Sequence, residues 1–396
     1  MSSTKTPNQA TLSIWGGETE HELYERSTQV PVVHSVSFGY KDIDTWHAVA
    51  LEKEQGHIYS RNTNPTVRAF EDKVKELEGA AAATSFSCGM AAISNTFGTF
   101  LRPGDRIVSI KDSYGGTNKL FTEFLPPMGI DVTLCNTTEH EEIEAEVAKG
   151  CKMLYLETPT NPTVKIVDIE RLSKAAKAVG AMVVVDNTFA TPINTNPLSL
   201  GADIVIHSAS KFLGGHADAL GGVACGSEEL VKKLYHYREI NGATLAPMDA
   251  YSLLRGMKTL SLRVERQNQS AMTIAKWLQD HPMVDHVNYP GLETHVHHDI
   301  ASKQMRGFGG MLSFSVKGGL DAIKRFLPQL QYAHMAANLG CVETVVGPPV
   351  VTSHVECTAE ERAAAGIPEG LVRYSTGIED VEDLIADLEQ ALASLN

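Results

Sequence analysis

Long apolar runs are missing from this chain. No stretch approaches the roughly 18 consecutive apolar residues that a membrane-spanning helix needs, which excludes a helical membrane protein. The first nine residues are polar and hold no apolar segment of the kind a secretory leader carries, so a cytoplasmic location is expected. Cysteine is sparse. Cys88, Cys135, Cys151, Cys225, Cys341 and Cys357 are scattered with no CxxC, so reduced thiols are expected rather than a disulfide framework. Positive charge is in deficit: 34 Lys and Arg stand against 48 Asp and Glu, a formal net charge of −14. That balance argues against nucleic acid or an anionic membrane as a partner. No G-x-G-x-x-G follows an early strand, which excludes a Rossmann dinucleotide site. Internal repeats and low-complexity segments are absent as well.

What is present is a chain of 396 residues, 43% hydrophobic and 21% charged, long enough for two or three units around a large core. Residues 1–60 read as an irregular polar arm containing Pro31. Over residues 61–257, short apolar runs alternate with amphipathic stretches. Arg106–Ile110, Met153–Glu157, Met182–Asp186 and 203–207 read as buried strands. The run Met182-Val183-Val184-Val185 is continuous rather than alternating, as a parallel strand covered on both faces requires. Helices fit between the strands. Asn64-Pro65 offers an N-cap and a first helical residue ahead of a stripe of Val67, Phe70, Val74 and Leu77. Asp168 caps a stripe of Ile169, Leu172, Ala176 and Val179 that Gly180 stops. This alternation predicts an α/β fold with a mainly parallel sheet. Residues 258–396 read as a smaller α+β domain. They hold a long helical pattern, Gly/Pro-rich turns, a strand over 371–375 and an acidic amphipathic helix over 379–395.

The chemistry concentrates where the strand 203–207 runs into Ser208-Ala209-Ser210-Lys211, followed by Gly214 and Gly215. Open α/β sheets bind ligands outside the carboxyl ends of their strands. A Lys there, in a partly apolar cleft, loses basicity and becomes a usable amine nucleophile. The hydroxyls of Ser208 and Ser210 suit a phosphate. A surface Lys after a strand would look the same locally, but Asp186 changes the balance. It closes the preceding apolar strand, where a carboxylate is costly without a cation. The pyridinium N–H of pyridoxal 5'-phosphate (PLP) would supply one. Ser87-Cys88-Gly89-Met90 opens a helix whose free N–H groups, those of Gly89 and Met90, form a phosphate cradle. Tyr59 and Arg61 stand two apart in an extended segment and can point one way, and Arg fits phosphate bidentately. Arg373 is a cation in a strand-like run and needs an anion, either a substrate carboxylate or an internal Glu.

These segments resemble the Cys/Met-metabolism family of PLP enzymes, which includes cystathionine γ-synthase, cystathionine γ-lyase, methionine γ-lyase and O-acetylhomoserine sulfhydrylase. The likeness runs from about residue 24 to the C-terminus. It rests on YSRxxNPT at 59–66, CGMAA at 88–92, YGGT at 114–117, ETPTNPT at 157–163, VVVDNTFATP ending at Pro192, HSASKFLGGHAD at 207–218 and LVRYSTGIED at 371–380. The resemblance implies the PLP-transferase fold (fold type I) and PLP as cofactor. It implies that Lys211 carries the cofactor and shuttles protons, Asp186 pairs with the ring nitrogen, and Tyr114 stacks on the ring and serves in acid–base steps. Gly89, Met90, Ser208 and Ser210 would bind the phosphate, with Tyr59 and Arg61 reaching it from a neighbouring subunit. Asn161 would contact the ring hydroxyl and Arg373 the substrate α-carboxylate. Small amino-acid substrates and a homotetramer built as a dimer of dimers are implied as well.

Two departures narrow the activity. Family members that handle cystathionine often carry Glu-Ser before Leu-Gly in the C-terminal domain, where this chain has Ala337-Asn338. That pair is more similar to the O-acetylhomoserine sulfhydrylases and makes Asn338 a substrate-side candidate. The Cys that methionine γ-lyases carry two residues after the stacking Tyr is Gly116 here. The expected reaction is therefore γ-substitution on an O-acylated homoserine, with γ-elimination as the alternative. A PLP carrier without turnover is a third reading, which an amino-acid-dependent spectral change would separate. His295, His297 and His298 are locally dense, but no carboxylate or Cys completes a zinc spacing, so no metal is expected. Cys88 is expected to pack rather than react, since no base is indicated for it.

Overall fold

Short apolar segments closed by polar residues form the strands of two sheets. The structure is a computed structural model that describes residues 7–17, 27–355, 358–364 and 366–395. The start of the family likeness near residue 24, part of the expected arm, and Cys357 lie outside the described residues.

The larger sheet comprises β1 (Ala82–Phe86), β2 (Arg106–Ile110), β3 (Asp131–Cys135), β4 (Met153–Glu157), β5 (Met182–Asp186), β6 (Ile204–Ser208) and β7 (Gly222–Gly226), in the order β1-β7-β6-β5-β4-β2-β3. Its pairs from β6 through β3 are parallel, and β7 runs antiparallel to β1 and β6. The smaller sheet has β8 (Val284–Asn288), β9 (Met311–Val316), β10 (Ala333–Met335), β11 (Thr344–Gly347) and β12 (Leu371–Ser375), in the order β10-β11-β12-β9-β8. Helix Leu260–Gln279 lies between the two in sequence.

Both faces of the central strands β4, β5 and β6 are buried, which is why these are continuously apolar up to their polar ends. Tyr155, Val184, Ile204 and Ile206 pack with helix Gly89–Phe100 on one face. Leu154, Leu156, Val183, Val185 and Val205 pack with Ile143, Ile169 and Leu172 on the other. The predicted caps form. Asn64 Oδ1 accepts from Thr66 N at 2.9 Å, and Asp168 Oδ1 accepts from Arg171 N at 2.9 Å. The strand expected at 203–207 sits one residue later, and the C-terminal helix spans Val381–Ala393. No described helix is long and apolar enough to cross a membrane.

Candidate active site

Three neighbouring parallel strands, β4, β5 and β6, end on Glu157, Asp186 and Ser208. Glu157 pairs in register with Asp186, and Asp186 with Ile206. Side chains alternate along a strand, so these three polar ends share one face. They open into a cavity of about 260 Å³ lined also by Gly89, Met90, Tyr114, Asn161, Ser210, Lys211, Ala337, Thr352, Ser353 and Arg373.

Beyond β6 the chain makes a tight turn. Lys211 N bonds Ser208 O at 3.2 Å, and Gly215 N bonds Lys211 O at 2.8 Å. The guanidinium of buried Arg263 donates to Phe212 O at 2.8 Å and Leu213 O at 3.2 Å, pinning the turn. Gly215 has φ 73°, and a Cβ there would run into that guanidinium. At the start of helix Gly89–Phe100 the approach is equally close. A Cβ on Gly89 would lie 2.6 Å from Ser208 Cβ, so only glycine leaves the helix N-terminus open beside the Ser208 hydroxyl.

The charges here lack ionic partners. Asp186 is 7% exposed and accepts from Thr188 N at 2.9 Å and Tyr155 OH at 3.4 Å. Burial pushes its carboxyl up. Lys211 Nζ donates to Asn338 Oδ1 at 2.8 Å, and burial and then Arg373 pull its ammonium down. Arg373, on β12 and 4% exposed, donates to Asn161 Oδ1 at 3.2 Å and Asn338 O at 3.0 Å, and burial pulls it down to about 10. None of the three forms an ion pair among the described residues. A site that keeps one cation and one anion buried, and a second cation half-buried, with no ion pair among the described residues is built for a ligand carrying the complementary charges.

Nearly all residues expected from sequence converge here. Gly89, Met90, Tyr114, Asn161, Asp186, Ser208, Ser210, Lys211 and Arg373 line the cavity, and Asn338 joins it through Lys211. Cys88 lines it too. Tyr59 and Arg61 are not brought to their own chain's cavity. Tyr59 is 40% exposed with the Arg61 guanidinium over its ring at 5.2 Å, and its backbone pairs with Ser37. His297 Nδ1 bonds Ile166 O at 2.8 Å and His298 Nδ1 bonds Pro290 O at 2.9 Å, while His295 is buried and pulled down to about 4, chiefly by burial. Sequence reasoning passed over Glu157. Its two oxygens accept from Tyr114 N at 2.8 Å and Asn161 N at 3.1 Å. Burial, and then the adjacent Asp186, push its carboxyl well above the usual range. Its signal was in view, a carboxylate closing an apolar run as Asp186 does.

The sequence profile of the Cys/Met metabolism PLP-dependent enzymes matches residues 10–393. An L-methionine gamma-lyase of Fusobacterium nucleatum subsp. polymorphum is 42% identical over 99% of this chain and 100% of its own length. A cystathionine gamma-lyase of Bacillus subtilis is 41% identical over 97% and 99%. A crystal structure of cystathionine gamma synthase from Xanthomonas oryzae pv. oryzae, in complex with aminoacrylate and cysteine, superposes with a TM-score of 0.93 at 36% identity, covering 99% of both chains. The cavity fits the cofactor these names imply. Asp186 lines the cavity without a cation paired to it among the described residues, Lys211 is a half-buried amine with no carboxylate partner among them, and the glycine-opened helix N-terminus beside Ser208 offers donors to a phosphate. The chain belongs to the Cys/Met metabolism PLP-dependent enzymes, and pyridoxal 5'-phosphate is its cofactor.

Proposed function

We propose that the enzyme catalyses γ-substitution on an O-acylated homoserine, such as O-acetyl-L-homoserine, with a thiol, sulfide or carbon acid as nucleophile. The observation that carries this reading is Ala337. It lines the cavity, and the only carboxylates lining it among the described residues are Glu157 and Asp186, at the strand ends. The distal ammonium of cystathionine would be desolvated beside Ala337 with no anion to meet it. An O-acylhomoserine has no such charge and carries a better leaving group.

Bound PLP supplies an electron sink conjugated to the substrate α-carbon. The residues of this chain do the rest. Lys211, made easier to deprotonate by burial and by Arg373, carries the cofactor and then moves protons at the α- and β-carbons. Asn338 Oδ1 holds its amine in place at 2.8 Å. Asp186 keeps the ring nitrogen protonated. Gly89, Met90, Ser208 and Ser210 hold the phosphate, and Asn161 meets the ring hydroxyl. Arg373 takes the α-carboxylate, and Tyr114 covers the ring. Tyr59 and Arg61 serve a neighbouring subunit's phosphate in a homotetramer of two tight dimers, which accounts for their place outside their own cavity.

A second reading is γ-elimination to an α-keto acid, ammonia and a thiol. It is favoured by the gamma-lyase names of the Fusobacterium and Bacillus relatives. A substrate panel separates the two. O-acetylhomoserine, O-succinylhomoserine, methionine, homocysteine, cystathionine and cysteine would each be offered with and without sulfide, a thiol or a carbon acid. Substitution products from the O-acylhomoserines should dominate. An α-keto acid formed from methionine faster than any substitution product would establish the lyase reading instead.

A further inference from the structure

Helix Pro65–Glu78 ends on a carboxylate, where the helix dipole disfavours one. Glu78 is its last residue, followed by Gly79 at φ 67°, and is 2% exposed. A buried anion at that place is costly unless several donors meet it. Three do. Oε1 lies 2.6 Å from His207 Nε2 and accepts from Asn187 Nδ2 at 2.9 Å, and Oε2 accepts from Asn196 Nδ2 at 3.2 Å. Nothing in the chemistry above uses this cluster.

Strand register shows what it touches. Ser85 pairs with Val223 and Val223 with His207, while Asn187 N bonds Ile206 O at 2.9 Å alongside. These residues form one row across the back of the sheet. Asp186 and Ser208, next in sequence to Asn187 and His207, face the cavity because side chains alternate. Two turns earlier on the same helix, Glu71 Oε1 accepts from Ser85 N and Ser85 Oγ, both at 2.8 Å, at the other end of the row. Cys225, on the same back face of β7, has its thiol pushed up by burial and then by Glu78 and Glu71.

We propose that Glu78 is a positioning residue: from behind the sheet it fixes the ends of β5 and β6 at the spacing that aims Asp186 and Ser208 at one cofactor. This rests on the assignment of Asp186 to the ring nitrogen and Ser208 to the phosphate. Glu78→Gln keeps the shape but can accept at one oxygen only. Apoenzyme made from the purified holoenzyme would be titrated with PLP by protein fluorescence, and melting temperatures measured with and without cofactor. The dissociation constant should rise about tenfold to a hundredfold, the effect of leaving a buried donor unpaired. The gap between holo and apo melting temperatures should narrow with it. His207→Gln, which keeps an N–H for Glu78, should stay within about threefold of wild type, and His207→Leu should lose about tenfold. This second pair decides the matter if Glu78→Gln does not fold. Apo and holo melting temperatures that fall together with PLP affinity unchanged would overturn the proposal. Asp186→Asn, run alongside, separates the two levels: if it weakens PLP binding while Glu78→Gln does not, positioning fails and the site stands. If neither weakens binding, both fail.

Discussion

Replacing Arg373 by Leu should separate substrate binding from folding. Arg373 is 4% exposed, and its guanidinium hydrogen bonds go to two neutral acceptors, Asn161 Oδ1 and Asn338 O. Burial pulls it from its ordinary value down to about 10, which corresponds to roughly 3 kcal/mol spent keeping the cation where no anion meets it. A substrate carboxylate would return most of that energy. Removing the cation should therefore raise KM for every amino-acid substrate by on the order of a hundredfold. Folding should respond differently. Leu relieves the buried charge but leaves two acceptors unpaired at about 1–2 kcal/mol each, so the melting temperature should barely move. The assay is steady-state kinetics on two substrates with different side chains, paired with thermal melts and PLP titration. An unchanged KM, or a loss of PLP with KM intact, would refute the reasoning and move Arg373 to the phosphate.

Lys211→Ala should abolish both turnover and the absorbance of the lysine-bound cofactor; wild-type turnover in the variant would sink the assignment. Lys211→Ala and Arg61→Ala subunits, each inactive alone, should recover activity when refolded together, to roughly a quarter of wild type if assembly is random. No recovery from correctly assembled hybrids would return Tyr59 and Arg61 to their own subunit. His354 is buried, with Nδ1 3.0 Å from Ser353 Oγ, and is pulled down to about 4 by burial, Arg373 and Arg362. Its folded value is depressed, so its contribution is intact above 6.5 and drains away as pH falls toward 4, roughly 3 kcal/mol in full. His354→Asn should flatten the loss of melting temperature across that window, and an identical profile would exclude His354 as the cause.

Much of the site could be read before the fold was seen, because its signal is local. An apolar run closed by a polar residue marks a strand end at the ligand face, and Asp186, Ser208 and Lys211 stand there. What escaped was non-local or lacked an apolar stripe. Asn338 was expected on the substrate side, but its hydrogen bond to Lys211, 127 residues away, was not, because it forms only when the chain is folded. β7 has only the short apolar run Val223-Ala224-Cys225 between two glycines, so its antiparallel place between β1 and β6 left no trace in the pattern. Residues 1–60 read as irregular, yet they hold helices Gln9–Trp15 and Ile43–Ala50, capped by Asn8 and Asp42. Ile14, Trp15, Ile43 and Trp46 are exposed within one chain, so no buried stripe announced them. Glu78 closed a visible helix, but its partners come from β6 and the segments that follow β5.

The most direct measurement is kcat/KM for cystathionine cleavage set against kcat/KM for O-acetylhomoserine with a saturating nucleophile, in the wild type and in Ala337→Glu. The wild type should favour the O-acylhomoserine. The substituted enzyme should shift the ratio toward cystathionine by about tenfold or more, since a charged partner for a buried donor is worth roughly 1.5–3 kcal/mol. Cystathionine or methionine turned over faster than any O-acylhomoserine by the wild type would contradict the account and make the enzyme a γ-lyase.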